Sequence, residues 1–328
     1  MHFNLLKMAL KPMIKYRGGK SKEIPAILWK IPRFRGRYIE PFFGGGALFF
    51  HLEPREAIIN DINPKLMQFY SGVRNNYYSL RRELDEIEQL YTMYREEFDK
   101  LKILHPNDHV MDKNEELYYH LRAQYNGTET KHYSDALLYY YINKTAYSGM
   151  IRYNAQGEFN VPFGRYGSLN TKSVSILHSN LLKRAEILNV DYSIVFDLTD
   201  TDDFMFLDPP YDCIFSDYGN SSYRDDGFNE KEHRRLAQDF KNLSCKTLMV
   251  IGKTPLTEEL YHDYIQEEYE KNYAVNIRNR FKSSATHIVV ANYKREWNDP
   301  TPTSYENEVP EIAQLMAFEE SEPYGKHQ

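Results

Sequence analysis

The sequence of 328 residues has only two cysteines, Cys213 and Cys245, and only two tryptophans. Two cysteines cannot build a disulfide framework, so a reducing cytoplasm is the expected compartment. Long apolar runs are also absent. Stretches such as Thr247–Ile251 are far too short to span a bilayer, and the N-terminus lacks the apolar core of a signal peptide. With 41% hydrophobic residues, the composition predicts a globular protein rather than a membrane or disordered one.

The net charge of −6 argues against a nucleic-acid partner, but the distribution of the charges does not. Residues 1–37 hold ten Lys or Arg against one acid, residues 141–184 hold six against one, and residues 276–295 hold five against none. The stretch from Asp299 to Glu322 holds seven acids and no base. Basic segments offset in this way are consistent either with a polyanion-binding face or with charges scattered over the surface.

Strand and helix signals alternate at both ends of the chain. The predicted strands are Arg37–Glu40, Glu56–Asn60, Asp191–Phe196, Phe204–Leu207, Thr247–Ile251 and Thr286–Tyr293. The predicted helices are 47–52, Pro64–Val73, 77–104, Glu115–Tyr125, Ser134–Asn143, Val174–Leu188, Glu230–Leu243 and Leu256–Ile265. Alternation of this kind predicts an α/β protein with a mostly parallel sheet.

A mainly helical block interrupts the α/β pattern, which occurs at 37–75 and again at 190–295. We therefore predict one sheet built from both ends of the chain, with residues 1–75 and 190–298 forming one domain and residues 76–189 inserted in it. Residues 144–170 are rich in Gly, Asn, Tyr, Arg and Pro without a clear period, which predicts a structured functional loop or hairpin. The acidic tail 299–328 is expected to be flexible.

A glycine turn follows the first predicted strand, in Tyr38-Ile-Glu-Pro-Phe-Phe-Gly-Gly-Gly-Ala47. Glycines at a strand-to-helix turn allow a ligand to approach the backbone closely. The turn is not a dinucleotide fingerprint, because Phe49 stands where the third glycine would be needed, and no Gly-Lys-Ser/Thr phosphate loop follows. The pattern favours a ligand without phosphates, although a plain tight turn has a similar signature.

Two acids follow later predicted strands. Asp61 comes directly after the second strand, where a carboxylate commonly binds ribose hydroxyls; alternatively, Asp61 or Asn63 caps the next helix. Asp208 comes after a buried strand and begins the sequence Asp208-Pro-Pro-Tyr211. The prolines force a rigid turn that presents a carboxylate, carbonyl groups and an aromatic ring. That combination suits a planar ring with an exocyclic amine, which needs hydrogen-bond acceptors and a stacking partner.

The order of these motifs resembles the Dam-type, alpha-group adenine-specific DNA methyltransferases. The matching motifs are Lys15-Tyr-Arg-Gly-Gly-Lys20, Glu40-Pro-Phe-Phe-Gly-Gly-Gly46, Asp61, Asp208-Pro-Pro-Tyr211, 142–154 and 157–166. The similarity runs from about residue 12 to 295. It implies a Rossmann-like methyltransferase fold with an inserted target-recognition domain, S-adenosyl-L-methionine (AdoMet) as methyl donor, and no metal.

The resemblance also implies site residues. The implied reaction is methylation of the exocyclic amine of a flipped-out adenine, and the implied catalytic residues are Asp208, Pro209, Pro210 and Tyr211. The implied cofactor-binding residues are Tyr16, Lys20, Glu40, Phe42, Gly44, Gly46, Asp61 and Asp208. The implied partner is duplex DNA, with a separate cognate restriction endonuclease as a further possible partner. A cytoplasmic monomer of bacterial or phage type is expected.

The target implied by the resemblance is GATC. In the members of the family that read this site, the matching DNA-binding positions are Lys15, Tyr147, Met150, Arg152, Pro162 and Tyr166. Arg152 aligns with an arginine that reads the outer guanine, and Tyr147 with an aromatic residue that inserts where the adenine leaves. The alternative interpretation is that Arg152 and Lys15 contact only phosphates.

Two other functions are consistent with parts of this sequence. An RNA adenine methyltransferase shares the Asp-Pro-Pro-Tyr chemistry, and a DNA-binding protein without catalysis could share the fold. Cytosine-carbon methylation needs a Pro-Cys nucleophile, and neither Cys213 nor Cys245 follows a proline, so both cysteines are predicted to be inert. In one place the sequence departs from the family, since Gly252-Lys-Thr254 stands where Ser-Asn is common. His233 is predicted to be a surface or capping residue.

Overall fold

The computed structural model describes residues 9–16, 18–211, 228–272 and 284–294. At its centre lies a sheet of seven strands in the order β3-β2-β1-β4-β5-β7-β6. The strands are β1 Tyr38–Glu40, β2 Ala57–Asn60, β3 Ala185–Leu188, β4 Phe204–Leu207, β5 Lys246–Gly252, β6 Ile265–Asn272 and β7 Ser284–Ala291. The first five pair in parallel, and β7 is antiparallel to both β5 and β6. The predicted mostly parallel α/β sheet is therefore confirmed.

Ten α-helices accompany the sheet within the described residues. They are α1 Ile24–Leu28, α2 Ala47–Leu52, α3 Pro64–Asn75, α4 Tyr77–Leu104, α5 Lys113–Asn126, α6 Asp135–Thr145, α7 Ile176–Leu182, α8 Tyr192–Phe196, α9 Glu230–Asn242 and α10 Pro255–Tyr261. Short 3-10 turns form at Lys20–Lys22, Tyr147–Gly149 and His262–Tyr264. None of the helices in this part of the chain is both long and apolar enough to cross a bilayer.

The strand order reverses between β1 and β4, since β2 and β3 lie on one side of this pair and β5 lies on the other. Open α/β sheets bind their ligands at the carboxyl ends of the strands beside such a reversal. The glycine turn follows β1, Asp61 follows β2 and Asp208 follows β4. Parallel pairing of these three strands places all three features at one edge of the sheet.

Helix α3 connects the sheet to helices from the middle of the chain, because it contacts α4, α6 and α7. Gly72 allows α3 and α6 to approach closely, because a Cβ atom there would lie 2.6 Å from Cβ of Ala136. Strand β3 falls within 76–189 and yet pairs with β2, so the sheet takes a strand from the stretch assigned to the helical insertion. The division of the chain into two domains stays a prediction.

Buried tyrosines of two helices hold the irregular segment 146–170 in place by hydrogen bonds. Tyr91 of α4 donates a hydrogen bond to the carbonyl of Tyr166, and Tyr118 of α5 donates one to the carbonyl of Val161, each at 2.7 Å. Both tyrosine rings are fully buried. A tyrosine combines a large apolar body with a polar end, so it can fill the core and satisfy a loop carbonyl together. The segment is a structured loop, as predicted.

Two predictions after residue 170 were wrong. The predicted helix Val174–Leu188 is instead α7 followed by β3, because the chain turns at 183–184 and then pairs along β2. The predicted strand Asp191–Phe196 is instead the short helix α8. There the carboxylate of Asp191 accepts the amide hydrogen of Ser193 and caps the helix. This cap outweighs the preference for strand that the β-branched and aromatic residues of the segment give.

Further corrections concern the C-terminal third. The predicted helix Leu256–Ile265 ends as α10 and a 3-10 turn, and Ile265 begins β6, which the sequence did not predict. His233 is not a surface residue: it is fully buried, and its ring meets that of Phe228 edge-on at 4.8 Å. Cys245 is buried, which raises the pKa of its thiol and agrees with the predicted inertness. Cys213 and the acidic tail lie outside the described residues.

Candidate active site

The glycine turn after β1 has a conformation that requires glycine. Gly44 and Gly46 have φ values of 48° and 63°, in the left-handed region. A Cβ atom on Gly44 would also lie 2.8 Å from Cε1 of Tyr16, so the ring of Tyr16 covers the turn closely. The hydroxyl of Tyr70, on α3, donates to the Gly44 carbonyl at 2.9 Å. Sequence reasoning missed Tyr70, since a tyrosine in an apolar helix face carries no functional signal.

Asp61 ties this turn to the end of β2. One carboxylate oxygen accepts the amide hydrogen of Gly44 and the other accepts that of Asn63, each at 2.9 Å. Burial raises the pKa of the Asp61 carboxyl, and the two amide hydrogens oppose that rise. Asn63 caps α3 by accepting the amide hydrogen of Leu66 at 3.1 Å. Of the alternatives read from the sequence, Asn63 is therefore the cap, and Asp61 keeps lone pairs for a ligand.

Glu40 ends β1 as a deeply buried acid. Its carboxyl accepts a hydrogen bond of 2.8 Å from the hydroxyl of Tyr38. Burial raises the pKa of Glu40 well above its usual range, and the nearby carboxylate of Asp208 raises it further. Glu40 and Asp208 are thus close enough to sense each other's charge at the edge of the sheet.

Lys20 joins Asp208 and Tyr211. Its ammonium forms an ion pair with one carboxylate oxygen of Asp208 and donates to the hydroxyl of Tyr211 at 2.7 Å. The Lys20 side chain is only 2% exposed, whereas that of Asp208 is 22% exposed. The lysine is therefore held inside the fold while the aspartate remains accessible. The rigid turn through Pro209 and Pro210 separates Asp208 from Tyr211 and fixes both on the same ammonium group.

An aromatic wall stands beside the glycine turn. The ring of Phe42 packs against Tyr192 of α8, with 5.2 Å between ring centroids, and meets Phe228 edge-on at 5.9 Å. The amide group of Asn60 holds the backbone here by donating to the carbonyls of Pro41 and Val190. Asn60 was not predicted as a site residue, although a polar residue ending the run Ala57–Asn60 is a usable signal.

The loop that departs from the family has clear structural roles. Gly252 lies against Tyr211, since a Cβ atom there would be in ordinary contact, 3.6 Å from the ring. The Lys253 ammonium pairs with Glu268 at 2.8 Å and with Glu258 at 3.1 Å. Thr254 caps α10 through its hydroxyl. This loop thus gives Tyr211 a neighbour without a side chain.

The predicted DNA-binding residues gather on a second surface. Antiparallel bridges pair Ala146 with Phe163 and Tyr153 with Phe159, so residues 146–163 form an irregular hairpin. Tyr147 is 43% exposed at the start of this hairpin. Exposed side chains also include the predicted Arg152 and Pro162, whereas Met150 and Tyr166 are half-buried. The structure therefore brings together the part of the predicted DNA set that follows residue 146.

Lys15 reaches the hairpin from the N-terminal segment. Its backbone exchanges two hydrogen bonds with the side-chain amide of Asn143, at 2.8 and 2.7 Å. Its ammonium lies over the ring of Tyr166, 4.1 Å from the centroid. Gly149 leaves room for Lys15, because a Cβ atom there would lie 2.7 Å from Cδ of the lysine. Lys15 therefore joins the hairpin, while its neighbour Tyr16 covers the glycine turn.

The comparison with protein families agrees with this arrangement. The sequence profile described as "D12 class N6 adenine-specific DNA methyltransferase" matches residues 16–277. The chain is 35% identical over 292 residues to Type II methyltransferase M.CviBI of Paramecium bursaria Chlorella virus NC1A, covering 87% of this chain and 100% of that protein.

Two further relatives come from cellular organisms. Type II methyltransferase M.MjaIII of Methanocaldococcus jannaschii is 34% identical over 80% of this chain and 89% of its own length. The DNA adenine methylase of Haemophilus influenzae is 25% identical over 78% and 84%. With a family match across most of the sequence and relatives above 30% identity along nearly their whole length, this chain belongs to the D12 class N6 adenine-specific DNA methyltransferases, enzymes that use AdoMet as methyl donor.

Proposed function

We propose that the protein methylates the exocyclic amine of adenine within GATC in duplex DNA, after flipping that adenine out of the helix. The observation that supports this most strongly is the segment from Lys15 to Lys20. Lys15 packs on the hairpin, Tyr16 covers the glycine turn, and Lys20 pairs with Asp208. One short segment thus connects the residues proposed for DNA, for the cofactor and for the reaction.

The residues around the glycine turn fit AdoMet. Three carboxyl groups, from Glu40, Asp61 and Asp208, lie at the ends of neighbouring strands, and only the Asp208 carboxylate pairs with the Lys20 ammonium among the contacts described above, which suits a ligand with a cationic sulfonium and amine. The left-handed glycines form a tight turn whose backbone lies against the ring of Tyr16. We assign Asp61 to the ribose, Lys20 to a charged contact, and Tyr16, Phe42, Gly44 and Gly46 to the walls. When bound, AdoMet supplies an electrophilic methyl group.

The proposed task of the Asp208 turn is to activate the amine. The nitrogen is a poor nucleophile because its lone pair is delocalised into the adenine ring. Asp208 and the carbonyl of Pro209 would each accept one amine hydrogen, which favours a pyramidal nitrogen with its lone pair available. Acceptors fixed in advance cost no reorganisation during the reaction. The Lys20 ion pair and the two prolines provide that fixation.

Adenine cannot react inside the base stack, so the proposal includes base flipping. Unpairing and unstacking cost a few kcal/mol. Tyr211, adjacent to the acceptors, would recover part of this by stacking on the extruded ring. Tyr147, exposed at the start of the hairpin, would fill the space that the base leaves.

Recognition of GATC is assigned to the hairpin and to Lys15. Arg152 is exposed, and its Nε donates to the side chain of Asn160 at 2.9 Å. That bond orients the guanidinium plane while its terminal amino groups remain available for the two acceptors of a guanine edge. Met150 and Pro162 are assigned to a thymine methyl group, and Tyr166 supports Lys15. The Type II names of two relatives favour a cognate endonuclease that acts separately from the methyltransferase.

Mapping methylated adenines tests the target. Expression in a host without adenine methylation, followed by single-base mapping of genomic DNA, is expected to show N6-methyladenine in GATC on both strands. Cells that carry the Asp208→Ala variant provide the control. Methylation confined to another sequence would contradict the GATC assignment, and methylation of RNA alone would contradict the DNA substrate.

Loss of cofactor contacts is expected to weaken AdoMet binding. Lys20→Ala and Asp61→Asn should each raise the Kd by about 10- to 100-fold, because a hydrogen bond to a charged group contributes roughly 1.5–3 kcal/mol. Titration calorimetry measures this directly. Lys22→Ala is the matched control, since Lys22 lies on the same 3-10 turn but is exposed. Unchanged affinity in both site variants would rule out the proposed cofactor site.

A further inference from the structure

A buried polar cluster lies directly behind Tyr211. The ring of His287, on β7, meets that of Tyr211 edge-to-face, with 5.1 Å between centroids and 84° between planes. His287 is fully buried, and its Nδ1 donates to a carboxylate oxygen of Glu23 at 2.8 Å. Tyr269, on β6, donates to the same oxygen at 2.5 Å. A carboxylate that is itself 5% exposed thus anchors the imidazole that touches Tyr211.

The same glutamate belongs to the segment that carries Lys20. Its backbone amide donates a hydrogen bond to the carbonyl of Lys20 at 2.7 Å, and Glu23 is the N-cap residue of α1, directly after the 3-10 turn. The contacts therefore form a continuous ring of four residues. Lys20 holds the Tyr211 hydroxyl, the Tyr211 ring meets His287, His287 bonds to Glu23, and Glu23 returns to the backbone of Lys20. Both ends of the tyrosine side chain are thereby fixed against one N-terminal turn.

The strand register shows why the imidazole reaches the site. His287 pairs with Gly252 of β5 on one side and with Tyr269 of β6 on the other. Gly252 has no side chain between the sheet and Tyr211, so the tyrosine ring lies against the strand pair at the position of His287. Burying an imidazole and a carboxylate is costly compared with packing apolar residues of similar size. A purely structural role at this position would be served at least as well by an apolar side chain.

We infer that Glu23 and His287 are positioning residues for the methyltransferase reaction, which hold the Tyr211 ring in the orientation that stacks on the extruded adenine. This rests on the proposed role of Tyr211. Neither residue touches the substrate in the proposed complex, since His287 is fully buried and Glu23 nearly so. They act by restricting one aromatic ring, so their loss is expected to lower kcat and leave the affinity for the cofactor intact.

The test compares two substitutions of His287. His287→Leu removes both the ring contact and the bond to Glu23, and kcat on a duplex containing the methylation site is expected to fall roughly 10- to 100-fold. His287→Phe retains an aromatic edge against Tyr211 and is expected to recover at least part of that loss. The KM for AdoMet should stay within about twofold of the wild-type value in both variants, as expected for an effect on adenine placement alone.

A second readout does not depend on turnover. With 3-fluorotyrosine incorporated at position 211 alone, the ¹⁹F spectrum of the protein without DNA should show one sharp line. His287→Leu and Glu23→Ala should broaden or shift that line by releasing the ring. Val289→Ala is the matched control: Val289 is fully buried two positions further along the same strand, and it lies in a hydrophobic cluster other than the one that Tyr211 packs against. It is expected to lower stability and to leave the line and kcat unchanged.

The outcomes separate this inference from the proposed function. If the wild-type protein methylates adenine and His287→Leu retains kcat within twofold, or loses no more than Val289→Ala, the positioning role is wrong. An unchanged ¹⁹F line in both variants would also overturn it. If the wild-type protein modifies no adenine in duplex DNA, the proposed function fails, whatever the fluorine spectra show.

Discussion

Replacing Asp208 by alanine is expected to lower kcat for adenine methylation by about a thousandfold or more. The carboxylate is proposed to accept an amine hydrogen and so expose the nitrogen lone pair, and losing one fixed polar group of this kind typically costs roughly 10²–10³ in rate. Its loss also leaves the nearly buried ammonium of Lys20 without its ion pair, which adds to the effect. Transfer of a labelled methyl group to duplex DNA under single-turnover conditions measures this change.

Controls distinguish a chemical effect from unfolding. Asp208→Asn keeps the shape of the side chain and one acceptor oxygen, and it should be less impaired than the alanine variant. Asp200→Ala removes a carboxylate that is 86% exposed in the stretch before β4, and it should retain normal activity. If Asp208→Ala binds AdoMet and DNA well and still turns over at a near-normal rate, Asp208 is not the catalytic acceptor.

The second large effect is expected at Arg152. Replacing it by alanine should lower kcat/KM on GATC about 5- to 150-fold, which corresponds to the 1–3 kcal/mol carried by a bidentate arginine–guanine contact. Sites altered at the first guanine should then be methylated nearly as well as GATC itself. A set of duplexes that differ only at that base, methylated by the wild type and by the variant, gives both numbers.

Arg165→Ala is the charge-matched comparison for this experiment. Arg165 is 72% exposed just beyond the hairpin and pairs with Glu115 at 3.1 Å. Removing it changes the local charge by the same amount as removing Arg152, so it should leave the discrimination at the first guanine unchanged. If Arg152→Ala instead loses activity equally on every duplex, Arg152 contacts phosphate and does not read a base.

The elements with strong local signals were predictable from the sequence. The helix over residues 77–104 was predicted with the bounds of α4, because its apolar positions recur at helical spacing over several turns. The buried strand Phe204–Leu207 was predicted for a similar reason, since an apolar run ends at a turn. Short elements whose type depends on distant partners were not. Strand β3 exists through its pairing with β2, and β6 through its pairing with β7.

The residues of the candidate site also differ in whether the sequence could predict them. Residues in motifs, such as Asp208, Tyr211 and the glycines of the turn, were named from the sequence, and the structure brings Asp208 and Tyr211 together on Lys20. Glu23 and His287 could not be named. They are 264 positions apart, neither lies in a motif, and they come into contact only because the segment before α1 packs against β7 in the folded chain.

The segment from Lys15 to Lys20 also has a thermodynamic consequence. Lys15 belongs to the proposed DNA surface and Tyr16 to the proposed cofactor site, so a duplex that displaces the lysine acts on its neighbour through a single peptide linkage. Coupling between two ligands is reciprocal: the factor by which DNA changes the affinity for AdoMet equals the factor by which AdoMet changes the affinity for DNA. With a typical coupling of about 1–3 kcal/mol, the enzyme with and without bound AdoMet would differ roughly 5- to 150-fold in affinity for DNA. How long the enzyme stays on a chromosome between successive sites would then depend on whether AdoMet is bound.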